Sequence, residues 1–354
     1  MLCKYHSKCI KLISIILFIT IYFMYEFLRP IQLPGRGTPR EINNIVLQSP
    51  LSGVTDRCFR KLIRKWAPEA LLFTEMVNAT SLGLGYGIQK IEELAEEDGP
   101  IGVQLYDFRP KAMVKAAKKA ESEGAFLIDI NMGCPVKKIA NKGGGSALIK
   151  DKDLAAEIVN EVSQAVKIPV TIKTRLGWTK ETSAPEDFAI EMQKAGAQLI
   201  TIHGRTRDQG FKGKSNWQAI ASIKKVLEIP LIANGDINNP NDAIKCLNTT
   251  KADGIMIGRG SLGKPWLIGY INSVMKGNTS FQYPSQKETV QIAIDHLKEL
   301  IKIKGDHGLL IARKHLSWTC QNIKNSKELR SSLMREKTPL EAIKILERKL
   351  ESME

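Results

Sequence analysis

The stretch Phe126-Leu127-Ile128-Asp129-Ile130-Asn131-Met132-Gly133-Cys134-Pro135 decides the fold. Its apolar start, 126–130, is too short for a helix and suits a strand buried on both faces. Its end turns polar. An amphipathic segment follows at Asp151–Val166, then a second apolar run at Val170–Lys173, whose end is polar again in Lys173-Thr174-Arg175. Strand, helix, strand is the crossover unit of a parallel sheet.

The same alternation extends in both directions. Further apolar runs lie at Ile45–Gln48, Leu71–Thr74, Ile101–Leu105, Leu199–Ile202, Leu231–Ala233 and Gly254–Ile257. Helical patterns at Pro110–Ser122, Pro185–Ala195 and Trp217–Leu227 have Asp, Ser or Pro near their starts. Eight strand candidates with helical crossovers predict an α/β fold, a (β/α)8 TIM barrel over residues 43–280. An open doubly wound sheet would carry G-x-G-x-x-G after its first strand. The first run instead ends in Ser49-Pro50-Leu51-Ser52-Gly53, and Gly83, Gly85 and Gly87 have the wrong spacing. Beyond about Pro284 the pattern is helix only, at Glu288–Lys302, Leu309–Asn322 and Pro339–Glu351. It predicts a small helical domain over residues 285–354, basic through Arg313, Lys314, Lys324 and Arg330.

Hydrophobic content of 43% and charged content of 25% are those of an ordinary soluble globular chain. The formal charge of +15 favours a polyanionic partner, because Lys and Arg displace counterions from phosphates. From Lys276 onward 15 Lys and Arg face 10 Asp and Glu, so +5 lies there and +10 upstream. A field spread over the body suits a large folded RNA better than a detachable basic arm would. The six cysteines form no C-x-x-C pair and no zinc spacing, so no metal is expected and reduced thiols in the cytoplasm are the default. A monomer is expected.

Residues 1–42 are set aside as an apolar extension. Between Lys11 and Glu26 stand 14 uncharged residues, short of the about 20 that span a bilayer. Two readings stay open. The segment 10–28 is a short membrane tether on the cytoplasmic side, or it is translated sequence upstream of the true start; tethering is not favoured.

Catalytic groups of such barrels sit at the C-terminal ends of the strands. Here those ends are polar: Ser49–Asp56 after the first, Gln104 on the third, Asp129–Pro135 on the fourth, Lys173–Arg175 on the fifth, His203–Arg207 on the sixth, Asn234-Gly235-Asp236 on the seventh and Gly258-Arg259-Gly260 on the eighth. The glycines at the last two fit a site where backbone N–H groups meet an anion. Lys173 ends a buried strand, where a ligand with developing negative charge would offset its desolvation; snorkelling out of the barrel mouth is the equal alternative. Cys134 sits in a loop with little core to pack into, so it is a candidate acid, protonated at an ordinary thiol pKa of about 8.5. Cys58, Cys246 and Cys320 read as packing residues.

These motifs resemble the tRNA-dihydrouridine synthases, and most closely the bacterial subfamily B. Ser49–Asp56, Asp129–Pro135, Ile202–Arg207, Asn234-Gly235-Asp236, Ile257-Gly258-Arg259 and Ala312-Arg313-Lys314-His315 carry the resemblance, with Ser49 and Leu51 where the family usually has Ala and Met. It implies FMN as prosthetic group, NADPH (or NADH) as reductant, tRNA as substrate through a helical tRNA-binding domain, and D-loop uridine as the target. Carried over by motif, Pro50, Leu51 and Ser52 would line the flavin, and Gln104 and Lys173 would bond its ring. Asn234, Gly235, Asp236, Gly258 and Arg259 would hold the phosphate end, and His203 would face flavin or substrate. Asn131, Arg205, Arg207, Arg313 and Lys314 would meet the tRNA. Hydride would reach C6 of the uracil, and Cys134 would protonate C5. A membrane-associated dihydroorotate dehydrogenase is the rival enzyme, and a non-catalytic RNA-binding barrel the rival binder. The charge of +15 and the basic tail disfavour the first; retention of Cys134 with the flavin-type strand ends disfavours the second.

Overall fold

A computed structural model of the protein describes residues 29–353 apart from 183, 279 and 325. The segment 10–28 and most of the predicted extension lie outside the described residues. Eight parallel strands close a barrel: β1 (Val46–Gln48), β2 (Leu72–Phe73), β3 (Ile101–Tyr106), β4 (Leu127–Met132), β5 (Val170–Arg175), β6 (Ile200–His203), β7 (Leu231–Asn234) and β8 (Gly254–Ile257). β8 returns to pair with β1. The seam between β1 and β2 is closed by Gln48. Its backbone N–H donates to the Leu71 carbonyl at 3.2 Å, and its Oε1 accepts from the Phe73 N–H at 2.8 Å.

The crossover helices include α1 (Arg57–Arg64), α2 (Pro110–Ser122), α3 (Lys152–Ala165), α4 (Pro185–Lys194), α5 (Trp217–Val226), α6 (Pro240–Thr250) and α7 (Leu267–Met275). Their starts follow local chemistry. Asp56 caps α1 by accepting from Phe59 N–H, Asp151 caps α3 by accepting from Leu154 N–H, and Pro stands in the first turn of α2, α4 and α6. Four further helices follow the barrel: α8 (Gln286–Lys304), opened by the Ser285/Glu288 capping box, α9 (His307–Cys320), α10 (Ser326–Arg335) and α11 (Pro339–Glu351). They share their own apolar core, which includes Leu297, Leu316, Leu333 and Leu346. α8 lies against α1, where Lys61 and Lys65 meet Glu299 and Asp295.

Inside the barrel the two-residue period of a strand sorts side chains into layers. On β4, Ile128, Ile130 and Met132 face the helices and join the main core. Leu127, Asp129 and Asn131 are the alternate positions. Near the strand starts the interior is apolar, with Leu47, Leu71, Phe73, Leu127, Leu199 and Ile232 in one cluster. The Phe73 ring fills the place of a side chain at Gly102, where a Cβ would stand 2.7 Å from it.

Ile31, Leu33 and Ile42 belong to the same cluster. They come from a two-stranded antiparallel ribbon, Ile31–Leu33 with Arg40–Ile42, that closes the lower end of the barrel. The sequence pattern had assigned these residues to the extension. Leu33 is 1% exposed. Leu33→Ala should therefore cost about 2–5 kcal/mol, the usual range for a buried leucine, and lower the urea midpoint. An unchanged midpoint would show that the ribbon lies outside the cooperative unit.

Candidate active site

A cavity of about 710 Å³ opens at the C-terminal ends of the strands, a size that suits a small-molecule site. It brings together Pro50, Leu51 and Ser52 after β1, Asn131 and Cys134 from β4 and its loop, Lys173 of β5 and His203 of β6. Asn234, Gly235, Asp236, Gly258 and Arg259 close the other side. Gln104, Arg205, Arg207, Arg313 and Lys314 do not line it.

A buried hydrogen-bond chain sets the position of Cys134. Thr171 Oγ1 donates to Asp129 Oδ1 at 2.7 Å, and Gln104 Nε2 donates to Asp129 Oδ2 at 2.6 Å. Gln104 Oε1 accepts from Asn131 Nδ2 at 2.7 Å. Asn131 Oδ1 in turn accepts from the backbone N–H of Gly133 at 3.2 Å and of Cys134 at 2.9 Å. From the opposite side Arg175 Nε donates to the Gly133 carbonyl at 2.7 Å, while its Nη1 donates to the carbonyls of Thr206 and Gly210. The loop that carries the thiol is thus held at both its N–H groups and its carbonyl. Burial raises the Asp129 carboxyl to about 6, against the pull of Gln104, Thr171 and Lys173.

Cations crowd the β5–β8 side. Burial, then Arg175, lowers Lys173 to about 8, with Asp129 and Cys134 pulling the other way. Among the described residues the Lys173 ammonium has Asn234 Oδ1 as its hydrogen-bond acceptor, at 3.1 Å, so two of its three donors remain for a ligand. Burial, then Lys173, Arg175, Arg205 and Arg259, drives His203 far down, so its ring is neutral. Its Nε2 lies 3.2 Å from Arg205 Nη1 and accepts from it, which puts the ring proton on Nδ1. Burial pushes the Cys134 thiol up, while Arg175 and Lys173 oppose the rise. Gly235 has φ 117° and no room for a side chain: a Cβ would stand 2.8 Å from the His203 ring.

The remaining sequence-predicted residues have other engagements. Arg205 is 2% exposed and grips both oxygens of Asp236 at 2.7 Å. Arg207 stacks on Trp178. Arg313 donates to the Glu336 carbonyl at 2.7 Å, bracing α9 to the start of the α10–α11 connection. Lys314 reaches the first loop, its Nζ 3.0 Å from where a Gly53 Cβ would stand. Arg175, Phe211 and Trp318 are among the cavity residues to which the sequence reading gave no role. Arg175 shares the inward face of β5 with Lys173 at two-residue spacing, so the period was a usable signal. Phe211 lies in a loop and Trp318 on α9, and no local pattern marks either.

Among known proteins, the family described as dihydrouridine synthase (Dus) matches residues 47–353. The "Probable tRNA-dihydrouridine synthase 1" of Synechocystis is 48% identical over 292 residues, 82% of each chain. The "tRNA-dihydrouridine synthase B" of Pasteurella multocida is 37% identical over 310 residues, 87% of this chain and 93% of that one. Among solved structures, histamine dehydrogenase from Rhizobium sp. 4-9 has a TM-score of 0.55 at 15% identity, covering 78% of this chain and 51% of that one. Morphinone reductase has a TM-score of 0.52 at 15% identity, covering 74% and 92%. At that identity the structures speak for the barrel fold alone.

The thiol's surroundings have a direct readout. Cys58, Cys246 and Cys320 are buried and Cys134 is partly exposed. Of these four, iodoacetamide should label only Cys134 in the native protein, as read by peptide mass spectrometry. Its labelling rate should rise with a midpoint above the ordinary thiol value of about 8.5. Arg175→Met removes a cation that favours the thiolate, so it should move the midpoint higher still. A wild-type midpoint at or below the ordinary value would contradict the burial argument.

Proposed function

This chain belongs to the dihydrouridine synthase family, and we propose that it is an oxidoreductase that reduces specific uridines in tRNA to dihydrouridine, with Cys134 as the acid. The observation that carries this reading is the placement of the partly exposed Cys134 thiol in the same cavity wall as the half-buried ammonium of Lys173.

FMN fits the residues present. Lys173 offers unused donors in the cavity interior. Gly235 and Gly258 bare their backbone at the ends of β7 and β8, and Arg259, with its side chain 46% exposed, adds a cation beside them. Lys173 and Asn234 would bond the ring system, and Gly235, Gly258 and Arg259 the phosphate end. Pro50, Leu51 and Ser52 would supply an adjacent wall. When bound and reduced by NADPH, FMN would supply the hydride for C6 of the uracil.

The chain's own groups account for the proton. Cys134 keeps its proton at neutral pH because burial disfavours the thiolate. After the proton passes to C5 of the uracil, the thiolate left behind is stabilised by the Val136 backbone N–H and then by Arg175 and Lys173, the groups that oppose the rise in its pKa. Its partial exposure lets solvent restore the proton. Asn131 holds the loop in register and lines the cavity where the base would enter. The neutral His203 can donate a hydrogen bond without adding a further charge to this cationic wall.

Cys134→Ala should retain FMN and still be bleached by NADPH, because reduction of the flavin requires no protein thiol. Its turnover of unmodified tRNA should fall about 10²–10⁴-fold, the usual worth of a positioned acid. Lys173→Met should instead weaken FMN retention. Wild-type FMN affinity should decline as pH rises through about 8, where the Lys173 ammonium loses its proton, and Lys173→Met should flatten that decline. Dihydrouridine formed at the wild-type rate by Cys134→Ala would remove the thiol from its role. Wild-type protein that forms none would remove the synthase reading itself.

A further inference from the structure

We propose that the loops after β5 and β6, with the end of the segment after β4, form a path for an unpaired RNA strand outside the cavity, with Trp178 as a base-stacking platform and Lys150 (from the β4–α3 segment) and Arg207 as its phosphate contacts; this rests on the tRNA reading above. Arg207 Cζ lies 4.3 Å and Lys150 Nζ 4.9 Å from the centroid of the Trp178 ring. Neither cation forms an ion pair with a carboxylate among the described residues, and Arg207 Nε is buried without a hydrogen-bond partner. Two cations without a carboxylate partner among the described residues thus stand against one aromatic ring. A phosphate diester supplies an anion for them, and the base attached to it supplies a partner for the ring. Cations that track phosphates beside aromatic faces are the recurring design for single strands.

The two loops act as one surface. Arg207 N–H donates to the Gly177 carbonyl at 2.9 Å, and Asp208 N–H donates to the Trp178 carbonyl at 3.2 Å. Because these main-chain bonds join the loops, their closure does not depend on the indole ring. Exposed Lys180, Lys212 and Lys214 add positive charge along the same loops. The acidic residues there are Glu181 and Asp208, and Asp208 already accepts from Thr206 Oγ1 at 2.5 Å. Four residues beyond Arg207, Phe211 stands 55% exposed at the cavity rim, with Arg259 and Arg175 at 4.7 and 5.6 Å from its ring. The surface therefore leads from the cavity outward.

Its location matches the chemistry inside. β5 stands across the barrel from β1, whose following loop is where Lys314 of α9 approaches the mouth. A uridine that reaches Cys134 has to leave its stack, and its neighbours then lose a stacking partner. Trp178 offers one of those neighbours a replacement face.

The test uses the full-length flavoprotein and an unmodified tRNA transcript. Trp178→Ala should weaken tRNA binding about tenfold or more, and Trp178→Phe should recover most of the loss because the ring is kept. Lys150→Gln, at an exposed position, should lower the slope of log Kd against log salt by about one. A single-stranded oligouridylate should compete with tRNA for wild type and compete less well for Trp178→Ala. Wild-type affinity in Trp178→Ala, or equal losses in the Phe and Ala variants, would overturn the platform. If Trp178→Ala does not fold, an unchanged salt slope in Lys150→Gln overturns the path. Failure of the synthase reading shows separately, as wild-type protein that binds tRNA and yields no dihydrouridine.

Discussion

The interior of a closed eight-stranded barrel has room for few side chains, and every polar one buried there needs a partner. An unsatisfied buried donor or acceptor costs about 1–3 kcal/mol. In this protein the constraint falls on Asp129, Gln104 and Asn131, which occupy inward positions above an apolar floor. They satisfy one another in a single chain that begins at Thr171 and ends at the N–H groups of Gly133 and Cys134. The chain joins β3, β4 and β5 at the height where the cavity begins. The position of the thiol is therefore a consequence of barrel packing, with no free loop conformation to choose. Gln104 is the middle link, since both of its terminal atoms are engaged.

A second balance concerns charge. Lys173, Arg175, Arg205 and Arg259 gather on one side, and the acid beside them is Asp236, gripped by Arg205. Gathering cations out of water is unfavourable, as the lowered values of Lys173 and Arg175, about 8 and about 10, record. The hydrogen bonds of Arg175 to three carbonyls offset part of its desolvation. Lys173 has less compensation within the protein: Asn234 Oδ1 is its hydrogen-bond acceptor among the described residues. Burial, with the same field added to it, keeps His203 neutral. Electrostatics thus separates two kinds of cation: those that hold the protein together and those left for a ligand.

That separation explains what was legible in the sequence. All eight barrel strands were visible: β3 to β8 because burial on both faces makes their apolar runs nearly continuous, and β1 and β2 as the short runs Ile45–Gln48 and Leu71–Thr74. Helices with a Pro or Asp start, such as α2 and α3, were visible through their caps. The lower ribbon was hidden, because three-residue strands leave no periodic trace. Strand β2 is shorter than its run, and part of its pairing comes from the Gln48 side chain. At the site, residue type located the polar strand ends, but it could not tell a cation facing a ligand from one engaged inside the protein. Arg205 and Arg259 both pair with Asp236, but Arg205 is buried against it at 2.7 Å while Arg259 is half exposed and lies 3.8 Å away; Arg313 is held by the Glu336 carbonyl. Such partners lie 23 or more residues away, beyond any local pattern.

The helical bundle and the barrel contribute differently to the mouth. Trp318 and Lys314 come from α9 and reach the rim, whereas every link that fixes Cys134 lies within the barrel. The two are joined through α1, whose Phe59 packs near His296 and His315 of the bundle. Burial lowers those histidines to about 4 and about 2, so they stay neutral at ordinary pH and pack as apolar rings. This neutral, aromatic contact gives the junction a part that salt does not screen, beneath the exposed ion pairs of Lys61 and Lys65 with Glu299 and Asp295. Exposed cations at the mouth can respond to ionic strength while this aromatic contact does not. Substrate affinity can then vary with charge at the surface, and the distance between the thiol and the barrel floor stays set by the hydrogen-bond chain inside.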